Sequence, residues 1–203
     1  MRQFFVVPFV LVPLLGSQAP DDPACTCDAD KLKNGWCQKC KVGYVAAVAI
    51  TSEVLFETLD AHGHHIDADS MKCKSCQKAL ASDGFCERCN WGFVEKQLYY
   101  SKLTYLLAKG KPKNLSSIKC AGCRKNMLKP GWCDSCKVGI VGNVAFDDKK
   151  MFGQASREYH KLLAAVKTAR RCELCAVALF TDTKCPTCKK TYKDGKVTII
   201  SPP

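Results

Sequence analysis

The sequence predicts a small α+β repeat protein of four copies, and three observations predict it. All sixteen cysteines fall into four groups of four, each made of two close pairs separated by nine residues. Glycine and aromatic residues recur at fixed offsets from these pairs, and apolar stripes at helical spacing follow them. The copies repeat every 47 to 52 residues. A unit of that length buries too little apolar surface alone, so we expect the copies to stack on one another.

The cysteine spacing indicates metal. Copies 2, 3 and 4 read C-x2-C, nine residues, C-x2-C, and copy 1 differs only in having one residue inside its first pair. Each tight pair can direct two thiolates to one point, so two pairs supply a tetrahedral site. No cysteine is left over, and the candidate ligands are Cys25, Cys27, Cys37, Cys40, Cys73, Cys76, Cys86, Cys89, Cys120, Cys123, Cys133, Cys136, Cys172, Cys175, Cys185 and Cys188.

Zinc is the expected cofactor, about one ion per group and four in all. Iron or Cu(I) also suits four thiolates but is the less favoured choice. Disulfides are the alternative, because the number of cysteines is even and the chain reads as exported. Copy 1 is expected to bind more weakly, because Ala24 stands where a regular pair would place its first cysteine.

The paired cysteines with a short spacer resemble zinc-ribbon proteins, in particular the double-zinc-ribbon type. Glycine and an aromatic residue precede the second pair in three copies, as in Gly131-Trp132-Cys133. The resemblance covers about a third of the chain and implies metal binding and a local ribbon, with no particular activity. Nine residues suffice for a hairpin between the pairs. Such proteins usually carry glycine directly after each pair, whereas here the second pairs are followed by Lys41, Asn90, Lys137 and Lys189.

The repeat extends past the cysteines. Gly43, Gly92 and Gly139 follow the second pairs at one offset, then Ser52, Ser101 and Asp148 align as helix N-caps, and Phe56, Tyr105 and Phe152 lie four residues further on. The pattern predicts amphipathic helices over about 52–61, 95–109 and 148–169. Copy 4 has no such helix after its second pair and ends in an Asp194-Gly195 turn with a short strand, which suggests a terminal cap.

These observations divide the chain into a leader and four repeats. The fold class is therefore four zinc-ribbon-like units separated by amphipathic helices, with a signal peptide at 1–19 and repeats at 20–70, 71–117, 118–170 and 171–203.

The N-terminus predicts export. Arg2 precedes an apolar stretch that is too short to span a bilayer, and Ser17-Gln18-Ala19 is a small-x-small cleavage site. Cleavage after Ala19 would give a secreted or periplasmic protein with no membrane span, and an uncleaved anchor is the alternative. The formal charge of +12 falls to +11 without Arg2, and sixteen thiolates with four divalent ions bring it to +3. The lysines therefore balance the metal centres, and we do not expect a nucleic-acid partner.

Two further motifs allow other functions. Trp36-Cys37 and Trp132-Cys133 begin W-C-x-x-C-K stretches similar to those of thioredoxin-like proteins. The glycines that follow them stand where a redox helix would be running, so a thiol–disulfide oxidoreductase is an alternative only. His62, His64 and His65 form a cluster that could hold a metal with Asp60 or Asp67, or be an exposed polar loop.

The sequence favours an exported, non-enzymatic, zinc-binding repeat protein that serves as a scaffold for a protein partner. A soft-metal buffer is the second alternative. Neither the partner nor the oligomeric state follows from the sequence.

Overall fold

The computed structural model describes Cys27 and residues 33–198. In copy 1, strands β1 (Trp36–Cys37), β2 (Val42–Val45) and β3 (Val48–Ile50) form an antiparallel meander, and helix α1 (Glu53–Leu59) follows it. Strands β1 and β2 carry the second cysteine pair on the turn between them.

Copies 2 and 3 share a longer arrangement of a helix, a meander and a second helix, and a short edge strand from the end of the preceding copy extends each sheet. Copy 1 ends with β4 (His64–His65), and copy 2 contains α2 (Lys74–Ala81), β5 (Phe85–Cys86), β6 (Trp91–Val94), β7 (Gln97–Tyr99) and α3 (Lys102–Lys109). Copy 2 ends with β8 (Lys111–Pro112), and copy 3 contains α4 (Ala121–Leu128), β9 (Gly131–Cys133), β10 (Val138–Val141), β11 (Val144–Phe146) and α5 (Lys149–Ala169). The sheet orders are β4-β7-β6-β5 and β8-β11-β10-β9, with all neighbours antiparallel.

Copy 4 is the shortest. Helix α6 (Glu173–Thr181) precedes a two-stranded ribbon of β12 (Thr191–Lys193) and β13 (Lys196–Thr198). The predicted Asp-Gly turn is confirmed, because Asp194 and Gly195 both take positive φ between these strands.

The three predicted helices that follow the second pairs are present, with their N-caps as expected. The side chains of Ser52, Ser101 and Asp148 accept the backbone N–H of the residue three positions on. The prediction of a helix from residue 95 is wrong. Glu95 and Lys96 have φ of 49° and 63° and form the tight turn between β6 and β7, so α3 begins only at Lys102.

The predicted hairpin between the two cysteine pairs is also wrong in copies 2 to 4. Helices α2, α4 and α6 occupy that segment, and each begins directly after the first cysteine of its copy. The nine-residue spacing allows either structure. The rest of the helix and a short turn fill the nine residues between the pairs, as a hairpin would.

The core is shared by all four copies. Helices α1, α3, α5 and α6 pack together, with α6 in contact with both α5 and α1. Helix α6 can occupy this position because Cys175 to Phe180 is an unbroken apolar run, the pattern of a helix buried on most sides. Copy 4 therefore lies at the centre of the shared core, and the prediction that it forms a terminal cap is wrong.

Copies distant in sequence also touch. At Gly142, in the turn after β10, an added Cβ would lie 2.0 Å from the carbonyl oxygen of Ala46, in the turn after β2. The four copies are consequently closed on one another, whereas a linear solenoid would place copies 1 and 4 at opposite ends. Among the described residues, no helix combines the length and the apolar character needed to cross a membrane.

Contacts between repeated positions explain the recurring glycines. An added Cβ would lie 2.3 Å from the aligned aromatic residue in each case: Gly43 meets Phe56, Gly92 meets Tyr105, and Gly139 meets Phe152. The same rings pack, at tilts of 41 to 54°, against the aromatic residue before the second pair, with centroid distances of 5.3 to 5.8 Å for Trp36–Phe56, Phe85–Tyr105 and Trp132–Phe152. The glycine thus lets the helix that follows the meander lie close to the ribbon, and the aromatic pair holds it there.

Candidate metal centres

Four sets of cysteine sulfurs converge in the described chain. The complete sets are Cys73/Cys76/Cys86/Cys89, Cys120/Cys123/Cys133/Cys136 and Cys172/Cys175/Cys185/Cys188, and within each set all Sγ atoms lie within 4.8 Å of one another. In copy 1, Cys27, Cys37 and Cys40 converge in the same way. Cys25 lies outside the described residues, so the irregular first pair is placed only through Cys27.

The sulfur separations match a tetrahedral site. Four sulfurs at about 2.3 Å from one ion lie about 3.8 Å from each other. The Sγ atoms of Cys120 and Cys133 are 3.8 Å apart, and those of Cys172 and Cys188 are 3.7 Å apart. A disulfide would bring two sulfurs to about 2.05 Å, so the sulfurs of these two pairs are too far apart to be bonded to each other.

The first pair of each complete set sits on a helix N-terminus. Cys73, Cys120 and Cys172 are the N-cap residues of α2, α4 and α6, and the second cysteine of the pair is the third residue of the helix. This spacing places both sulfurs over the first turn, where the backbone N–H groups are unpaired and negative charge is stabilised.

The second pair of each set sits on a β-turn. Its first cysteine ends a strand in copies 1 to 3, at Cys37, Cys86 and Cys133. The residue after the pair has positive φ in all four copies, at Lys41, Asn90, Lys137 and Lys189. The zinc-ribbon proteins that the cysteine pairs resemble usually carry glycine at this position. This chain keeps the left-handed conformation without it, so the departure in sequence leaves the turn geometry intact.

One thiol in each complete set is unusually acidic. The backbone N–H of Cys76 is the main cause that lowers the pKa of Cys73 to about 6. The backbone N–H of Cys123 acts first in lowering the pKa of Cys120 to about 7. For Cys185, burial is the largest influence and raises the pKa, but several hydrogen bonds together outweigh it and bring the pKa to about 7. The strongest of these comes from the backbone N–H of Cys188, 3.3 Å from the Cys185 sulfur.

The partners of these thiols behave oppositely. Burial raises the pKa of Cys76 and of Cys123. Each complete set therefore combines one thiol of lowered pKa with a buried thiol of raised pKa, whose ionisation a bound cation would favour. Metal binding to such a set releases protons.

Each complete set has two inner and two outer sulfurs. The middle cysteines of each set, such as Cys123 and Cys133, are buried, whereas the first cysteine is half-buried and the last is half-buried or exposed. An ion held by four such sulfurs would lie at the rim of the fold, with the outer thiolates against solvent.

The sets differ in how they join the core. Cys175 and Cys185 of copy 4 belong to the shared core. The buried cysteines of copies 2 and 3 belong to two smaller clusters, one around Met71 and Phe93 and one around Ile140. In copy 4 a tyrosine also lies beside the sulfurs. Tyr192 hydrogen-bonds with Cys175, and this hydrogen bond is the main cause that raises the pKa of Tyr192 to about 12.

The histidine cluster does not form a comparable site. His64 and His65 make the edge strand β4, and His64 Nε2 lies 2.8 Å from Asp60 Oδ2. Within residues 33–198 and Cys27, the groups of three or more candidate ligands consist of cysteines only. His64 also stacks on Tyr100 at 5.1 Å, so it joins copy 1 to copy 2.

The two W-C-x-x-C-K stretches lie on strands. Trp36-Cys37 forms β1, and Trp132-Cys133 ends β9, while in copy 3 the helix N-terminus carries the other pair, Cys120 and Cys123. Both tryptophans are engaged in the aromatic pairs described above. Comparison of the chain with protein-family models, with curated proteins and with solved structures finds no match.

Proposed function

We propose that this chain is a zinc-binding repeat protein that acts without catalysis, as a scaffold that binds a protein partner after export. The observation that carries the proposal is the convergence of sulfurs in sets of four at tetrahedral spacing. Zinc is the ion of choice because it favours four thiolates at tetrahedral corners and requires no redox partner.

A structural role for the ions follows from what each set connects. In copy 3 the sulfurs join the N-terminus of α4 to the turn between β9 and β10, beside a small apolar cluster around Ile140. Four protein ligands leave no open position for substrate, which is typical of structural zinc and supports a binding protein over an enzyme.

The proposal of export depends on the N-terminal sequence, where Arg2, an apolar stretch and Ser17-Gln18-Ala19 stand in the order of a signal peptide. Expression of the full chain in a secreting host, with mass analysis of the mature protein, tests it. A mature N-terminus at Pro20 is the expected result. Retention of Met1 on a membrane-bound product would favour an anchor instead.

A soft-metal buffer is the second candidate. Cys40, Cys136 and Cys188 are exposed, so three of the sets present an accessible thiolate to solvent. A buffer would exchange its ions readily and prefer Cu(I) or cadmium, whereas a scaffold would hold zinc tightly.

Native mass spectrometry of the purified protein before and after a chelator tests the main proposal. We expect about four zinc ions per chain, and loss of helicity by circular dichroism when they are removed. Protein that carries no metal and eight disulfides would contradict the proposal. One fast, acidic thiol pair without metal would favour the oxidoreductase.

A matched pair of variants tests whether the cysteine sets are the ligands of the zinc ions. Cys123→Ser is expected to lower the zinc count by one, because a buried ligand of copy 3 is lost. Ser135→Ala changes a residue between two ligands and should leave the count unchanged. Equal zinc content in both variants would mean that the metal binds elsewhere.

A further inference from the structure

A cleft opens directly onto the sulfurs of copy 4. It has a volume of about 510 Å³ and lies between the end of α5, the start of α6 and the β12–β13 ribbon. Three of the four cysteines of the set line it, Cys172, Cys175 and Cys188. This volume is in the range that accommodates small molecules.

The cleft is positively charged. Its lining includes Lys167, Arg171 and Lys190, and no acidic side chain is among the described residues that form it. A divalent ion with four thiolates carries two negative charges, so the three cations leave the cleft with a net positive charge. The N-terminus of α6 adds to the positive potential at the same place.

The remaining wall is apolar. Leu179, Tyr192 and Val197 face the same space. Short methylene chains would pack on these side chains, while a negative group at the far end would meet Arg171 or the lysines.

The outer sulfurs lie within reach from the cleft. Cys188 is exposed and Cys172 is half-buried, with their Sγ atoms 3.7 Å apart. The inner sulfur of Cys185 is fully buried and does not line the cleft. A ligand in the cleft would therefore approach copy 4 from the side of its two outer thiolates.

We propose that this cleft binds a small anionic thiol, which gives it access to the metal of copy 4. The proposal rests on the metal binding proposed above, and it departs from a purely structural role for the ion of copy 4, because the exposed Cys188 makes that ion exchangeable. With the ion as cargo, the incoming thiolate would replace Cys188 Sγ, and the proton of the thiol would pass to Cys188. No electron is transferred, and one metal–sulfur bond forms as another breaks.

Copy 2 has a smaller version of the same arrangement. A cleft of about 350 Å³ is lined by Cys73 and Cys89 together with Lys72, Lys74 and Arg88. Only two sulfurs line it and no apolar wall is present, so weaker binding of the same thiol is expected there.

The test uses the full, zinc-loaded chain and follows transfer of zinc to a chromogenic chelator. Three thiols of different charge are compared at equal thiolate concentration: 3-mercaptopropionate, 2-mercaptoethanol and cysteamine. We expect one ion in four to leave about tenfold faster with the anionic thiol, the lower end of the effect of a single-sign cleft on association.

Reversing the charge of the cleft's cations tests whether they bind the anionic thiol or only neutralise the cysteine thiolates. The double variant Lys167→Glu/Arg171→Glu should remove the advantage of 3-mercaptopropionate and leave the rate with 2-mercaptoethanol unchanged. The paired substitution Lys149→Glu/Lys150→Glu, the same charge change at the other end of α5, is the control and should alter neither rate. Equal acceleration of the double variant with all three thiols would show that the cations only neutralise the sulfurs, and would overturn the proposal.

Cadmium-113 NMR assigns the fast ion without removing a ligand. In the cadmium-loaded protein, 3-mercaptopropionate should shift one resonance first, and the double variant should abolish that shift. A shift that persists in the double variant, or equal shifts at every site, would overturn the proposal. A protein that binds neither zinc nor cadmium at the outset would instead contradict the proposed function.

Discussion

Copies 3 and 4 carry the same cysteine spacing but use it in opposite ways. In copy 3 the helix between the pairs, α4, lies outside the shared core, and the helix after them, α5, lies inside it. In copy 4 the helix between the pairs, α6, is itself the centre of the shared core, and within the described residues no helix follows. The cysteine spacing therefore determines a local turn-and-helix unit, and the apolar content of each helix determines which one is buried.

Copy 4 also lacks the aromatic contacts that copies 1 to 3 share. Copies 1 to 3 each have the glycine and ring pair that hold the following helix on the ribbon. Copy 4 has Thr191 at the glycine position and Lys184 at the aromatic position. Because no helix covers that face of its ribbon in the described chain, the close approach that requires glycine is absent there.

The largest expected difference between these copies concerns the ligands themselves. Cys175→Ser removes a ligand that lies in the shared core, so we expect the whole fold to be destabilised by about 4–5 kcal/mol or more. Cys123→Ser removes a ligand from the small cluster of copy 3, and the main thermal transition should remain.

Thermal unfolding followed by circular dichroism, with hydrogen exchange to locate the loss, measures this difference. The Cys123→Ser protein should lose protection in α4 and β9 only. If both variants unfold to the same extent, the copies do not differ in their connection to the core.

The next effect concerns packing of α6. Phe180→Ala should lower the free energy of unfolding by about 3–5 kcal/mol, because this buried ring fills the core between the helices. Leu174→Ala on the same helix is the control. Its side chain is 40% exposed, so a change below about 1 kcal/mol is expected. Urea unfolding of both variants measures the difference, and a small effect at Phe180 would contradict a central position for α6.

A smaller effect is expected at the glycine that contacts the ring. Gly139→Ala places a methyl group 2.3 Å from Phe152 and should destabilise the protein by about 1–3 kcal/mol. Combining it with Phe152→Ala should recover part of that loss, because the two ring atoms at 2.3 Å are then gone and only the Cβ at 2.8 Å remains close to the methyl group.

Gly153→Ala is the matched control for this position. An added Cβ there meets no atom within 4 Å, and Gly153 lies inside α5, so stabilisation by about 0.5–1 kcal/mol is expected. Chemical denaturation of the three variants measures the coupling. If the effects of Gly139→Ala and Phe152→Ala simply add in the double variant, the two residues are not in contact.

The smallest effect concerns the turn after the second pair. Lys137→Gly should stabilise by about 0.5–1 kcal/mol, because Lys137 has φ of 53° and glycine adopts this conformation without steric strain. Lys129→Gly is the control, since its φ of −150° suits any residue and glycine adds only chain entropy.

Lys189→Gly should behave like Lys137→Gly, because copy 4 has the same φ at this position. Asn90→Gly should gain less, since asparagine tolerates the left-handed region. Differential scanning calorimetry resolves these shifts. A destabilised Lys137→Gly would show that the lysine side chain contributes more than the backbone strain removes.

The sequence predicted the sulfur sets and the helices after the second pairs for different reasons. Thiols at C-x2-C spacing converge through local turn geometry alone, and an N-cap such as Asp148 with a stripe such as Ala155, Tyr159 and Leu162 follows the helical period. Helix α6 gave no periodic signal because it is apolar on most sides, and α2 and α4 are too short and polar to stand out.

The sequence alone determined the local chemistry: where thiols gather, where helices begin, and which positions repeat. Only the tertiary structure decided which helices share the core, that copy 4 lies at its centre, and that Gly139 faces Phe152. The physical reason is that caps, turns and ligand pairs depend on residues a few positions apart. Burial depends on which apolar surfaces meet across the whole chain, and Phe180 can be assigned to the core only when α1 and α5 are in place around it.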